Sequence, residues 1–425
     1  MLRNLTLILL ALALASCEAP YRRPYYALAE QFYVAGDYTH AIQMYLEALR
    51  LKDKRPEALY GLAMSYYKTG KLEEAMYAFE KVIELEPKRE SAYERLASVH
   101  LDLGNPDTAI ALSLKAIELD PDFVEAYNTL GHGLFAVGNL DSAEAMFLHS
   151  VALAKTVSRQ DRQTSFPVIY LDEQAEAYNG LGEIALSRKE YSSALEKFGV
   201  ALEFVNDWET PWINKGRTYE ELGNAQSAIV CYRRAIELAP KVTESYKSLA
   251  DLYRRTGKDG DALDVYTDAV RENPDDIDAY YGLADLNVKR RDYVHAASAL
   301  ENVMQVSPDD PEGYFRAGKL RMLQSDFDRA IVYYNRALDV DPHHAESLNG
   351  LGEAQKAKGN QKEAEKLFLR AFEADSTYTL PLRNLGSLLL SVGREKEGLA
   401  WYNKAADLGD IDALIFLRSW ESKHK

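Results

Sequence analysis

Hydrophobic and polar positions follow two different rules along this chain. From Leu5 to Ala15 the side chains are apolar all round apart from Thr6, and the run stops at Ser16-Cys17. That is shorter than the roughly 18–20 apolar residues a membrane span needs, and it lacks the polar face of a core helix. From Arg22 onward the apolar positions are periodic instead. The stretch YGLAMSYYKTGKLEEAMYAFEKVIELEP, beginning at Tyr60, recurs with a period of 34 when aligned on Gly70. Position 1 falls at Arg22, Pro56, Glu90 and Val124. After a 17-residue interruption it falls again at Ala175, Glu209, Thr243, Ile277, Pro311, Ala345 and Thr379. Position 4 is always Tyr, Leu or Trp, position 8 is always Ala or Gly, and position 20 is Ala in all but the last unit, where it is Gly398. Position 24 is mostly aromatic, as at Tyr45, Phe79, Phe147 and Tyr334. Position 32 is often Pro, as at Pro87 and Pro121, where a helix has to stop. The spacings 4/8 and 20/24 each span one helical turn.

This signature resembles the tetratricopeptide repeat. The resemblance implies an all-α, right-handed solenoid of helix-A/helix-B hairpins, about eleven repeats long. It places repeats 1–4 at 22–157, an insertion at 158–174 and repeats 5–11 at 175–412, with a C-terminal cap at 413–425. Repeat 11 departs from the pattern and is similar to a Sel1-like repeat through Trp401-Tyr402, Ala405-Ala406, Gly409 and Ala413. Leu414, Phe416, Leu417 and Trp420 are available to close the open end, on a helix expected from about Ile411 to Glu421. Repeat arrays need such caps because a single unit cannot bury its own apolar face. The insertion, SRQDRQTSFPVIYLDEQ, has a polar start suited to prolonging helix B of repeat 4. Its apolar centre, Phe166, Val168, Ile169 and Tyr170, is expected to pack on adjacent repeats or to line the groove.

The opening run now has a reading. One cation, Arg3, precedes it and small residues follow, the layout of a secretory signal. Leu14-Ala15-Ser16-Cys17 resembles the lipobox of bacterial lipoproteins. The resemblance implies a signal peptide at 1–16, lipidation of Cys17 and a lipidated tether at 17–21. It also implies a protein held at the bacterial envelope facing the periplasm; Glu18 after the cysteine fits the outer membrane better than the inner one. A single acyl chain binds membranes only reversibly, whereas several hold firmly.

Charge and chemistry narrow the function. The formal net charge is −16, unsuited to binding nucleic acid. The second cysteine, Cys231, has no partner once Cys17 is lipidated, so an intramolecular disulfide is ruled out and a half-buried structural thiol is expected. NGLGEIA at 179–185 matches a dinucleotide-loop spacing, but both glycines fall on positions 6 and 8 of a helix A, where they serve packing. His343-His344 sits at a repeat boundary without ligand partners at metal spacing. The sequence holds no catalytic constellation; neither an enzyme, a metal nor a cofactor is expected.

In this family helix A lines the concave face, with positions 2, 5, 6, 9, 12 and 13 outward. Those positions supply the candidate partner-binding residues. Tyr60, Met64 and Tyr67 form an aromatic–methionine stripe. Asn128, His132, Asn179, Asn214 and Asn349 offer polar groups for an extended backbone. Arg217, Lys247, Arg254 and Lys319 bring positive charge, with Arg255 and Arg316 beside them. Tyr281 and Phe315 complete the set. The carboxylate-clamp pattern known in the family is not met, because Lys247 is followed at position 9 by Asp251. The expected function is a membrane-anchored scaffold mediating protein–protein interactions in an envelope assembly or secretion machine. Pilus biogenesis, polysaccharide export and outer-membrane protein assembly are candidate settings. The alternative is a solute-binding module partnering a transporter.

Overall fold

The computed structural model describes residues 23–50, 56–161 and 170–423. The signal sequence, Cys17, the tether, and Phe166, Val168 and Ile169 of the insertion lie outside them. Among the described residues every element is an α-helix, 23 in all. They form eleven antiparallel hairpins and a final single helix, as the repeat pattern requires. The chain divides into two compact units, one up to Leu238 and one from Ala239 onward.

In the N-terminal unit the odd-numbered helices are α1 (Arg23–Val34), α3 (Pro56–Lys68), α5 (Glu90–Asp102), α7 (Val124–Ala136), α9 (Leu171–Ser187) and α11 (Glu209–Glu221). Each packs on the even-numbered helix after it: α2 (Tyr38–Arg50), α4 (Leu72–Leu85), α6 (Pro106–Leu119), α8 (Leu140–Asp161), α10 (Tyr191–Phe204) and α12 (Ala225–Leu238). Two helices flank the insertion and are long: α8 runs 22 residues and α9 runs 17, with Tyr170 as its N-cap.

The C-terminal unit holds α13 (Thr243–Arg255), α15 (Ile277–Lys289), α17 (Pro311–Leu323), α19 (Ala345–Ala357) and α21 (Leu380–Ser391). Their partners are α14 (Asp259–Glu272), α16 (Tyr293–Val306), α18 (Phe327–Val340), α20 (Gln361–Ala374) and α22 (Glu395–Asp407). The chain closes on α23 (Ile411–Lys423).

Local signals set these boundaries. Asp276 caps α15, accepting a 2.9 Å hydrogen bond from Ala279 N. Pro106 and Pro311 open α6 and α17, where a missing N–H costs nothing. Gly70 turns the chain between α3 and α4 at φ +73°, a left-handed conformation that suits glycine. Lys189, Arg291 and Ser325 hold the equivalent place after α9, α15 and α17 at φ near +60°. The prolines at position 32 serve as acceptors as well: Tyr93 and Tyr127 donate to the carbonyls of Pro87 and Pro121 at 3.1 and 3.0 Å.

The core is built around the position-24 side chain. Tyr45, Phe79, Phe147, Phe198, Tyr232, Tyr334 and Phe368 are all fully buried. Each such ring is worth about 1.5–3 kcal/mol of transfer free energy. The ring reaches position 8 of its own hairpin and position 6 of the next. A Cβ on Gly131 would meet Phe147 Cε1 at 2.7 Å, and one on Gly180 would meet Phe147 Cζ at 2.4 Å. The 179–182 glycines are therefore helix-packing positions within α9. Cys231 is buried within α12, more deeply than expected, and burial pushes its thiol up to about 11. His344 is the N-cap of α19, its Nδ1 accepting from Ser347 N at 3.2 Å.

Candidate partner-binding face

The outward positions of the odd-numbered helices divide into two kinds. Positions 5 and 6 form a ladder between successive hairpins. Asn214 Nδ2 donates to Asn179 Oδ1 at 3.1 Å and to Glu183 Oε1 at 3.2 Å. Five hairpins later the same constellation returns: Asn384 Nδ2 donates to Asn349 Oδ1 and to Glu353 Oε1, both at 2.9 Å. Thr129 repeats the step with its 3.0 Å hydrogen bond to Glu94 Oε1. In the same register the Arg316 guanidinium lies over the Tyr281 ring at 4.2 Å, a cation–π contact.

Where position 6 is glycine, position 5 reaches instead to the start of the next odd helix. Asn128 Nδ2 donates to Glu173 O at 2.9 Å and Glu176 Oε2 at 3.3 Å. Lys247 Nζ pairs with Asp278 at 2.7 Å, and the Phe315 ring lies 5.6 Å from that of His344. Asn128, Asn179, Asn214 and Asn349 are thus buried inter-helix connectors, each at most 3% exposed. Tyr60 packs edge-on against Phe79 at 5.6 Å beneath Arg89, whose guanidinium is 4.1 Å from its ring centroid. Tyr281 donates to Asp310 at 2.8 Å.

Positions 9, 12 and 13 are the accessible ones. In the N-terminal unit four successive odd helices line one cavity of about 340 Å³. Tyr67 comes from α3, Ser98, Leu101 and Asp102 from α5, Thr129, His132 and Ala136 from α7, and Glu176 from α9. Met64, one turn before Tyr67, is half-buried against the same core. His132 Nε2 lies 3.4 Å from Glu176 Oε1, and its ring meets Phe147 edge-on at 4.9 Å. Burial alone would lower the imidazole pKa; the Glu176 carboxylate outweighs it, so His132 is held above its usual value and Glu176 below. Burial raises Glu94, 2% exposed, despite Arg95 Nε at 3.1 Å from its Oε2. Burial also raises Glu125, Glu173 and Glu183. Arg217 is exposed on α11.

In the C-terminal unit a cavity of about 240 Å³ is lined by Lys247, Asp251 and Arg254 of α13, Tyr266 of α14, Asp278, Tyr281 and Asp285 of α15, and Arg316 of α17, among others. The positive charge read from the sequence is neutralised here. Lys247 faces Asp278, Arg254 faces Asp251 at 3.3 Å, and Arg316 contacts Asp285 at 3.3 Å and Glu312 at 2.6 Å. Lys319 lies over the Phe315 ring at 5.5 Å and is exposed. Asp251 and Glu312 sit one turn before their cations, whereas Asp278 and Asp285 come from the adjoining hairpin, a proximity that position-by-position reading of one repeat does not reveal.

Hairpins of near-constant length, locked to one another by a position-24 ring and a position-5/6 ladder, define a helical repeat protein. Models of the tetratricopeptide repeat match residues 29–70, 56–89, 90–123, 210–242, 243–286 and 315–379, together more than half of the chain. The chain is a tetratricopeptide repeat protein.

Among curated proteins it is similar to anaphase-promoting complex subunit 6 of Arabidopsis thaliana, 33% identical over 85 residues. That match covers 19% of this chain and spans only 16% of the relative's length. Among solved structures it is similar to yeast Tom70, at 16% identity and a TM-score of 0.42, over 94% of this chain and 95% of that one. It is also similar to YrrB, described as a TPR protein with an unusual peptide-binding site. That match is at 23% identity and a TM-score of 0.36, covering 44% of this chain and 97% of that one.

Proposed function

We propose that this protein is a scaffold that holds partner proteins by an extended segment laid across its odd-numbered helices. The observation that carries the reading is the division of labour on that face. Positions 5 and 6 are spent mainly on the ladder, while positions 9, 12 and 13 of three consecutive odd helices, with Thr129 and with Glu176 of the fourth, converge on one accessible cavity. Clefts of this kind, with apolar walls and a few convergent polar groups, are the ordinary place for recognition. Tyr67 and His132 supply aromatic surface there, and Arg217 lies further along the same face.

The lipobox-like Leu14-Ala15-Ser16-Cys17 supports an anchor that places this face in the bacterial periplasm, on the outer membrane, beside an assembly or secretion machine. The test is chemical cross-linking and affinity capture of the native, membrane-extracted protein, with Cys17→Ser as the unanchored control. Partners from one envelope machine, captured with the wild type and lost in the control, are the expected result. Fractionation of Cys17→Ser with the membranes exactly as the wild type would overturn the anchor. Absence of any protein partner, together with a ligand-dependent rise in melting temperature in a solute screen, would overturn the scaffold in favour of solute binding.

A further inference from the structure

The odd-numbered helices of the N-terminal unit carry more negative charge than the array neutralises. Glu94 and Asp102 on α5, Glu125 on α7, and Glu173, Glu176 and Glu183 on α9 stand on three successive odd-numbered helices. Arg95 holds Glu94, His132 holds Glu176, and Arg217 acts on Glu183 from the far end. Glu94, Glu125 and Glu173 are each destabilised by burial and by the field of at least one other carboxylate of the group. One buried acceptor here receives no hydrogen bond among the described residues, Oδ1 of the fully buried Asn128, and Oε2 of the nearly buried Glu94 meets Arg95 Nε at 3.1 Å. The cavity beside them has two carboxylates, Asp102 and Glu176, the His132 imidazole against Glu176, and a wall of Tyr67, Leu101 and Ala136. In the C-terminal cavity each of three full cations faces an acid, whereas here Glu176 faces only the His132 imidazole and Asp102 the Tyr67 hydroxyl among the lining residues.

We infer that the N-terminal cavity receives a lysine or arginine side chain from an extended basic segment of a partner protein. A long aliphatic stem matches the Leu101 and Ala136 wall, the Tyr67 ring offers a cation–π face, and the charged head meets Asp102 and Glu176. Charge complementarity of this kind selects the partner and speeds encounter. The inference rests on the reading that this face binds protein segments, and it reverses the sign of partner that the basic residues of the sequence suggest.

The test uses the full chain and three short fluorescent peptides, alternating Ala with Lys, with Glu or with Ser, at near-physiological ionic strength. The Lys peptide is expected to bind about tenfold tighter than the Ser peptide, and Asp102→Asn/Glu176→Gln to remove about tenfold of its affinity. Glu73→Gln/Glu74→Gln changes the net charge equally on the exposed first turn of α4 and should cost less than about twofold if the effect is local rather than a general attraction. Equal losses in the two variants would overturn the inference, as would a Ser or Glu peptide that binds as tightly as the Lys peptide. Asp102→Asn alone, at an exposed position, serves should the double variant unfold. Peptides that bind without charge preference leave the scaffold reading standing and sink only this one. No peptide binding and no captured partner would sink both.

Discussion

At the scale of single residues, the fold turns on whether a Cβ fits above a ring. A methyl group on Gly282 would lie 2.4 Å from Tyr266 Cζ, and that ring is 4% exposed and tied to Asp251 by a 3.2 Å hydrogen bond. Gly282→Ala is therefore expected to cost about 1–3 kcal/mol, read as a lower denaturation midpoint. Glu94 makes the opposite case. Its folded-state pKa is raised, so whatever stability its protonated form allows is present below the ordinary carboxylate pKa and is lost as pH rises through the raised value. Glu94→Gln should then raise the melting temperature near pH 7, with the gain vanishing below about pH 4. An equal gain at both pH values would show that the carboxylate is not the cause. The small residue at position 8 and the ring at position 24 were legible from repetition. The burial of Glu94 was not, because its position 5 reads as outward in every unit taken alone.

At the scale of helices, the ladder explains why several candidate binding residues are connectors. Asn214→Ala removes two hydrogen bonds from α11 to α9 and leaves the buried Asn179 Oδ1 without its donor. It should destabilise by about 1–3 kcal/mol, and a double-mutant cycle with Asn179→Ala should show strong coupling. Additive effects would mean that the ladder is incidental. The sequence displayed Asn at position 5 in three units, and an amide looks the same whether it awaits a ligand or a neighbouring helix. What separates the two is the residue at position 6 of the following unit. A side chain there takes the bond, whereas glycine sends position 5 on to Glu176, Asp278 or His344. That relation crosses a repeat boundary, so a search confined to one period misses it.

At the scale of the whole molecule, stability is distributed and its ends are exposed to fraying. Phe416 of α23 stacks on Tyr402 at 3.9 Å, Ala413 is fully buried, and Arg383 of α21 pairs with Asp410 and Asp412. Leu417 joins that packing, and Leu414 is 40% exposed. Deleting residues 411–425 should speed hydrogen exchange in α21 and α22 first. Uniform protection across the C-terminal unit after the deletion would rule out a capping role.

The ring-and-glycine junction also bears on how such a chain grows or shrinks. Arg316 follows Leu300 across its junction, whereas Tyr266 one hairpin earlier is followed by Gly282, as Tyr45 and Tyr334 are by Gly61 and Gly350; the Phe79 ring, without a hydroxyl, is followed by Arg95. Excision of residues 277–310 keeps the 34-residue phase intact, yet it would set Arg316 over the Tyr266 ring and beside Lys247. The hairpins are thus not interchangeable cassettes. Each carries an address for its neighbours, and recombination within this gene would be tolerated at this junction only where Tyr266 and Gly282 are exchanged together.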